Sequence, residues 1–283
     1  MSVTTRNDIS SAVRELGIKK GDIVIVHSSF KSLGEVEGGA ETVISGFLDV
    51  IGEEGTLVFP TFTQNDFANA YKTWHIDKES DTGYLTNYFR KREGSLRSNQ
   101  ATHSVAACGK LAYELTKTHG ENGKRFGNMG DTPFSADSPW EKMYHHNTKV
   151  VMLGVSPLYT TFFHYAEYCY IEECLNALKG KSEYEEMKSL LADFCKKGTW
   201  PHLDGEILAS RLESEGKVNK SFCGNALLTE FSSKDFVDLA LSSLRNYDSD
   251  VLRISASGYW DVNDWIQWAE KFRQITNSTL KLN

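Results

Sequence analysis

Two titratable side chains stand three residues apart, His164 and Glu167, in the stretch KVVMLGVSPLYTTFFHYAE from Lys149. If the segment from Thr161 is helical the two share a face, because residues three apart are neighbours on a helix. Imidazole changes charge near neutral pH, so a histidine just past a strand end suits a general base. The same ring among Phe162, Phe163 and Tyr165 also suits a packed core position. A metal site would draw on the same pair, yet neither H-E-x-x-H nor H-x-x-E-H is present. Two further polar segments, His27-Ser28-Ser29 and Arg97-Ser98-Asn99, fall near apparent strand ends. Gly38-Gly39 precedes a helical pattern, and backbone N–H groups there could, with the Ser28 and Ser29 hydroxyls, hold a coenzyme's pyrophosphate or pantetheine arm. A glycine pair before a helix is also an ordinary turn. No P-loop, G-x-G-x-x-G or G-x-S-x-G occurs.

The elements that must position these residues alternate between helix and strand. Asn7 or Asp8 is a cap for a helix carrying Ile9, Val13 and Leu16, stopped by Gly17. Ile23 to Val26 reads as a buried strand and Ile44, Phe47, Leu48 and Ile51 as a helix face. Thr56 to Phe59 reads as a second strand, and Val150 to Val155 as the buried strand before the histidine. Residues 62 to 100 are aromatic and poorly periodic, a segment that either covers a site or packs as a satellite layer. Small and apolar residues from Ser104 lead into a helix ending near His119, and a glycine-rich loop follows over residues 120 to 139. Ser138-Pro139 opens a further helix, with proline at its first position. Ser232 to Asp235 caps a helix over Phe236 to Leu244, and a last helix is predicted over Val262 to Ile275 with Trp265, Trp268 and Phe272. The pattern predicts a single α/β domain over residues 1 to 283, a central sheet flanked by helices.

The bulk properties restrict the function classes. A net charge of −7 disfavours nucleic acid as a partner. The five cysteines show no C-x-x-C spacing and fit reduced thiols. The opening residues do not read as a signal peptide, and no apolar run approaches the ~20 residues that span a bilayer. These features predict a soluble cytoplasmic protein without a membrane partner.

Taken together, five blocks carry more than any one of them. They are VIVHSSFKSLGEVEGGAETVISGFLDVIGEEGTLVFPTFT, RSNQATHSVAACGKLA, FGNMGDTPFSADSPWEKM, VVMLGV with TTFFHYAE, and GKVNKSFCGNA. In this order, over about residues 8 to 245, the chain resembles the aminoglycoside 3-N-acetyltransferase family. The resemblance implies that family's own α/β fold rather than the common small acetyltransferase fold. It also implies transfer of acetyl from acetyl-CoA, as co-substrate, to an amine of an amino sugar, without a metal. His164 of the T-x-x-H-x-x-E block is then the expected base. Glu167 or Asp204 would orient the ring, and Glu167 could instead face substrate ammonium groups. Coenzyme contacts are expected at Ser28, Ser29, Val36 and Gly38 and near Ser98 and Ser104. A homodimer is left open.

The chain departs from the family at one block. Many relatives read R-S-x-H-P-x-x-S, whereas here the segment runs Arg97-Ser98-Asn99-Gln100-Ala101-Thr102-His103-Ser104. His103 either partly substitutes for the missing histidine or faces solvent. The acids Asp66, Asp77, Glu79 and Asp81 are scattered. Two acceptors therefore compete, an aminoglycoside antibiotic and a biosynthetic, nucleotide-linked amino sugar. For the second, Arg90, Lys91, Arg92 and Arg97 with Tyr84 and Tyr88 offer a basic, aromatic surface, or only a solvated helix face. A scaffold that binds without catalysis is the reading from another class.

Overall fold

A computed structural model describes residues 3–192 and 200–251 apart from 247 and 249. Cys195 and the helix expected over Val262 to Ile275 lie outside these residues. The strands are β1 (Ile23–Ser28), β2 (Thr56–Pro60), β3 (Leu96–Arg97), β4 (Val105–Gly109), β5 (Lys149–Leu153), β6 (Val218–Cys223) and β7 (Ala226–Ser232). They form one seven-stranded sheet in the order β3-β4-β2-β1-β5-β7-β6. The centre is parallel: β1 pairs with β2 through Val24↔Leu57 and with β5 through Val26↔Val151. Antiparallel strands extend it on both sides.

Burial on both faces explains why the central strands are continuous apolar runs. Ile23 and Ile25 of β1, Val58 of β2 and Val150 and Met152 of β5 point to one core. Their neighbours Val24, Val26, Leu57, Phe59, Val151 and Leu153 point to the other. The second core is closed by α1 (Arg6–Glu15), α2 (Ala40–Ile51) and α4 (Tyr84–Arg90), which supply Ile9, Phe47 and Phe89. The first is closed by α5 (Ala112–Thr116), α6 (Pro139–His145), α7 (Phe162–Leu178), α9 (Gly205–Ser214) and α10 (Ser233–Arg245). Helix α8 (Glu183–Ala192) adds Met187 and Leu191 to the first core, and α3 (Ala70–Thr73) is a single short turn.

Several ends differ from the sequence reading for local reasons. Thr5 caps α1, because Thr5 and Asp8 complete a reciprocal capping box, so Asp8 sits inside the helix. Residues 218–232 form a hairpin around Gly224-Asn225, where the sequence showed only turn signals. Strand β5 stops at Leu153 because Gly154 turns the chain with φ +62, and a Cβ there would lie 1.8 Å from Ser32 Oγ. This close approach brings the loop after β5 against the loop after β1.

Candidate active site

The chain visits β2 on one side of β1 and β5 on the other, so the sheet reverses its winding beside β1. Open α/β sheets bind ligands at the carboxyl ends of strands at such a reversal. A cavity of about 390 Å³ lies here, lined by His27 and Ser28 at the end of β1, Pro60 at the end of β2 with Phe62 beyond it, and Val155, Leu158, Tyr159, Thr160, Thr161, Phe163 and His164 after β5. Gln64, Thr82, Thr86 and His103 form the remaining wall.

Helix α7 begins at Phe162, so His164 and Glu167 fall on its first turns. His164 Nδ1 lies 2.9 Å from Glu167 Oε2, and the Glu167 side chain is completely buried. The same Oε2 accepts from Trp200 Nε1 at 3.1 Å, and Oε1 accepts from the Leu203 amide at 3.3 Å. His202 Nδ1 stands 3.7 Å from Oε1. A buried carboxylate needs such donors in place of the water it has lost. It also decides the tautomer: Nδ1–H donates to Glu167, which leaves the Nε2 lone pair available.

His103 is 1% exposed, so it does not face solvent. Its Nδ1–H donates to Thr102 Oγ1 at 2.9 Å, and the Gln64 amide donates to its Nε2 at 3.0 Å. Its ring centroid lies 6.0 Å from that of His164 and 4.9 Å from Phe62. Burial first, and then the neighbouring His164, hold its pKa well below the ordinary histidine range. Gln100 builds this turn, since its Oε1 accepts from the Thr102 and His103 amides while its Nε2 donates to Tyr71 Oη at 2.9 Å. His27, at the end of β1, is 5% exposed, and burial lowers its pKa to about 4. Its Nε2 is buried without a hydrogen-bond partner among the described residues, as is Thr160 Oγ1.

Other residues singled out in the sequence sit elsewhere or serve the fold. The Asp204 carboxylate caps α9, with Oδ1 accepting from the Glu206 amide at 2.9 Å and the Ile207 amide at 3.2 Å. The carboxylate on the His164 ring is Glu167. The Glu167 side chain is fully buried, with both of its oxygens hydrogen-bonded within the protein. Ser98 and Ser104 are fully buried, and neither hydroxyl is open to a coenzyme. Ser98 Oγ donates to His119 Nδ1 and accepts from the Val105 amide, both at 2.9 Å. Ser104 Oγ donates to Thr61 O at 2.8 Å. Ser28 lines the cavity, and the Ser29 amide donates to Leu153 O at 2.9 Å. Val36 bridges to Thr4, and Gly38 and Gly39 take positive φ just before α2. The basic cluster lies apart, because Arg90, Lys91, Arg92 and Arg97 line a separate depression of about 740 Å³ that shares no lining residue with the His164 cavity. Sequence reasoning missed Trp200 and Gln64, which only the fold brings to this end of the sheet.

The sequence profile of the family described as Aminoglycoside 3-N-acetyltransferase matches residues 25–245. The chain belongs to the aminoglycoside 3-N-acetyltransferase family. Its curated relatives are named as acyltransferases. It is 30% identical over 264 residues to the SPbeta prophage-derived aminoglycoside N(3')-acetyltransferase-like protein YokD of Bacillus subtilis (strain 168), a match covering 83% of this chain and 93% of that protein. It is 31% identical over 182 residues to aminoglycoside N(3)-acetyltransferase IX of Micromonospora chalcea, covering 58% of this chain and 61% of that enzyme. Among solved structures, the apoenzyme of aminoglycoside acetyltransferase AAC(3)-IVa superposes with a TM-score of 0.69 at 19% identity, covering 94% of this chain and 98% of that one. The binary complex of AAC-IIIb with CoASH gives a TM-score of 0.67 at 18% identity, covering 87% and 98%. At these identities the structural likeness speaks for the fold, which is the α/β fold of the family.

Proposed function

We propose that this protein transfers acetyl from acetyl-CoA to an amine of an aminoglycoside or related amino sugar, with His164 as general base and direct transfer to the amine. The observation that carries this reading is the His164–Glu167 pair, 2.9 Å apart, at the edge of a cavity where the parallel strands end. An ammonium must lose a proton before nitrogen can attack the thioester carbonyl. With Nδ1–H held by Glu167, Nε2 of His164 takes that proton, and the buried carboxylate stabilises the imidazolium that forms. The free amine then attacks the thioester carbonyl, the adduct nitrogen gives up its extra proton to solvent, and as the C–S bond breaks the imidazolium returns its proton to the departing thiolate, leaving the N-acetyl product and CoA thiol. Support for the coenzyme comes from a relative solved with CoASH and from the turn at Gly38-Gly39, whose positive φ values open the first amides of α2. Of the two carboxylates weighed for orienting the ring, this reading takes Glu167, which contacts it, while Asp204 caps α9.

The test is thiol release from acetyl-CoA with a panel of amino sugars. His164→Ala lowers kcat by about 10²–10⁴-fold while acetyl-CoA binding, read by calorimetry, persists. Near-native turnover by this variant would remove His164 from the mechanism.

A further inference from the structure

Between the turn after β3 and the cavity runs a chain of hydrogen bonds in which each proton has one place. It starts at Gln100, which is buried. The Thr102 and His103 amides can only donate, so the Gln100 atom they meet is Oε1, and Nε2 turns to Tyr71 Oη at 2.9 Å and Thr132 Oγ1 at 3.2 Å. The chain ends at Gln64. Its Nε2 lies 3.2 Å from Thr102 O, a carbonyl that can only accept, and 3.0 Å from His103 Nε2. An amide nitrogen donates and does not accept, so the ring proton of His103 is on Nδ1 and goes to Thr102 Oγ1 at 2.9 Å. The Thr102 hydroxyl, an acceptor there, donates to Gln100 Oε1 at 3.3 Å.

This order fixes which end of Gln64 a ligand meets. A free glutamine side chain turns its amide end for end and reads either a donor or an acceptor. The reversed amide here would set Oε1 against Thr102 O and the lone pair of His103 Nε2, acceptor against acceptor. Protonation of His103 would break the same contact by setting hydrogens against hydrogens. Burial first, and then the neighbouring His164, keep that ring neutral. Both N–H groups of Gln64 are therefore committed to the wall, while its side chain lines the cavity together with His164. The polar atom left to meet a ligand is Oε1. The His103 ring, which holds Gln64, stands 6.0 Å between centroids from that of His164, so Gln64 serves the same end of the cavity as the base.

We propose that Gln64 is a specificity-determining residue of the acyl transfer, its side-chain oxygen accepting a hydrogen bond from a hydroxyl or amino group of the acceptor next to the amine that His164 deprotonates. Gln100, Thr102 and His103 are positioning residues that hold this oxygen towards the acceptor. An ether, a carbonyl or a bare methylene at that point leaves Oε1 desolvated and unpaired, and is selected against. The proposal rests on the acyl-transfer reading given above.

Two measurements separate the relay from the chemistry. In the nitrogen NMR spectrum of protein with labelled histidine, the His103 ring is assigned by the loss of its signals in His103→Gln. It is expected as the neutral Nδ1–H tautomer between about pH 6 and 8. The Nε2–H tautomer or an imidazolium at this ring overturns the proposal without reference to turnover. Thiol release from acetyl-CoA is then followed with kanamycin, tobramycin and glucosamine. For each that reacts, Gln64→Met, which keeps the length of the side chain and removes its oxygen, is expected to raise the acceptor KM about tenfold with KM for acetyl-CoA unchanged. Gln64→Glu keeps an oxygen towards the acceptor and is expected to hold that KM within about threefold of native. A native acceptor KM in Gln64→Met, or a rise confined to acetyl-CoA, overturns the inference and leaves the acyl-transfer reading intact. An equal rise in both variants overturns it as well, since Gln64 would then be a packing residue. Failure of all three amines to release thiol overturns the acyl-transfer reading, and this inference with it.

Discussion

The two faces of the sheet are built from the same strands and differ in what they bury. On the face closed by α1, α2 and α4 the core is aliphatic and phenyl, with Ile9, Val13, Ile44, Phe47, Val24 and Val151 in contact. On the face closed by α6, α7, α9 and α10 the core grades into polar chemistry, with imidazoles, two indoles and a buried carboxylate. One step along β1 separates the two, since Val26 packs into the aliphatic core and His27 lines the cavity. The lesson concerns register. Side chains alternate across a strand, so the parity of a residue decides whether it serves packing or the site.

The sharpest break in this comparison pairs one truncation from each face. Phe47 is fully buried in the aliphatic core, and Phe47→Ala is expected to cost about 3–5 kcal/mol of stability. Urea melts read that loss as a lower midpoint, while kcat per folded molecule stays near native. His164→Ala, on the other face, behaves in reverse: kcat collapses and the melt moves only by the ~1–3 kcal/mol of one lost partner for Glu167. A variant of Phe47 that lost kcat without losing stability would show that the faces are not separable.

Acid separates the faces without mutation. Burial lowers the pKa of both His27 and His119 to about 4, and both belong to the side that carries the site. Burial holds His119 neutral although its Nε2 donates to Pro133 O at 2.9 Å, a contact that favours the charged ring, while Nδ1 accepts from Ser98. The folded state keeps these rings neutral, whereas the unfolded chain protonates them below the ordinary value near ~6.5. The unfolded state therefore binds more protons, and stability falls as pH falls from about 6.5 towards 4. Each ring contributes a slope of up to ~1.4 kcal/mol per pH unit in that window. Denaturant melts between pH 7 and 5 test this, and a His27→Gln variant is expected to show a shallower slope. A slope unchanged by that variant would move the acid sensitivity elsewhere.

The two faces were also unequally legible in the sequence. Strands β1, β2 and β5 stand out because burial on both sides makes them continuous apolar runs, and α2 because one stripe of it faces a core. The β6–β7 hairpin was harder to read because β6, VNKSFC, is a half-exposed edge strand with weak alternation. At the site, His164 and Glu167 were legible because their spacing is local. His103 was not, since its burial comes from Phe62 and Phe134, distant in sequence. Asp204, weighed beside Glu167 as a partner for the ring, caps α9, a role that Asp204-Gly205-Glu206 ahead of Ile207 and Leu208 already signals as a helix start. The indole of Trp200 reaches Glu167 only through tertiary packing, which no spacing rule reports.

That indole offers a finer cut within the polar face. Trp200→Phe keeps an aromatic ring against Tyr168, 5.1 Å away between centroids, and removes only the donor to Glu167 Oε2. The expected cost is one hydrogen bond to a charged group, ~1.5–3 kcal/mol, divided between folding and the positioning of the His164 ring. Steady-state kinetics should show the catalytic part in kcat with KM for acetyl-CoA unchanged. A loss confined to stability would make Trp200 a packing residue alone.

The smallest effect belongs to the aliphatic face and tests how far from the site a local contact is felt. Thr5 caps α1, its hydroxyl accepting from the Asp8 amide at 3.3 Å while the Asp8 carboxylate accepts from the Thr5 amide at 2.8 Å. Thr5→Ala is expected to cost ~1 kcal/mol, the usual value of a lost cap. The helix it begins packs on α2 through Ile9, whose side chain would meet a Cβ placed on Gly46 at 2.5 Å. Fraying at Thr5 therefore loosens the α1–α2 contact but leaves β1, and with it His27 and the cavity, in register. Amide exchange should quicken over residues 5 to 9 and stay slow along β1, with thiol release unchanged. Faster exchange in β1 would mean that the cap supports the sheet as a whole, and the two faces would then form one cooperative unit.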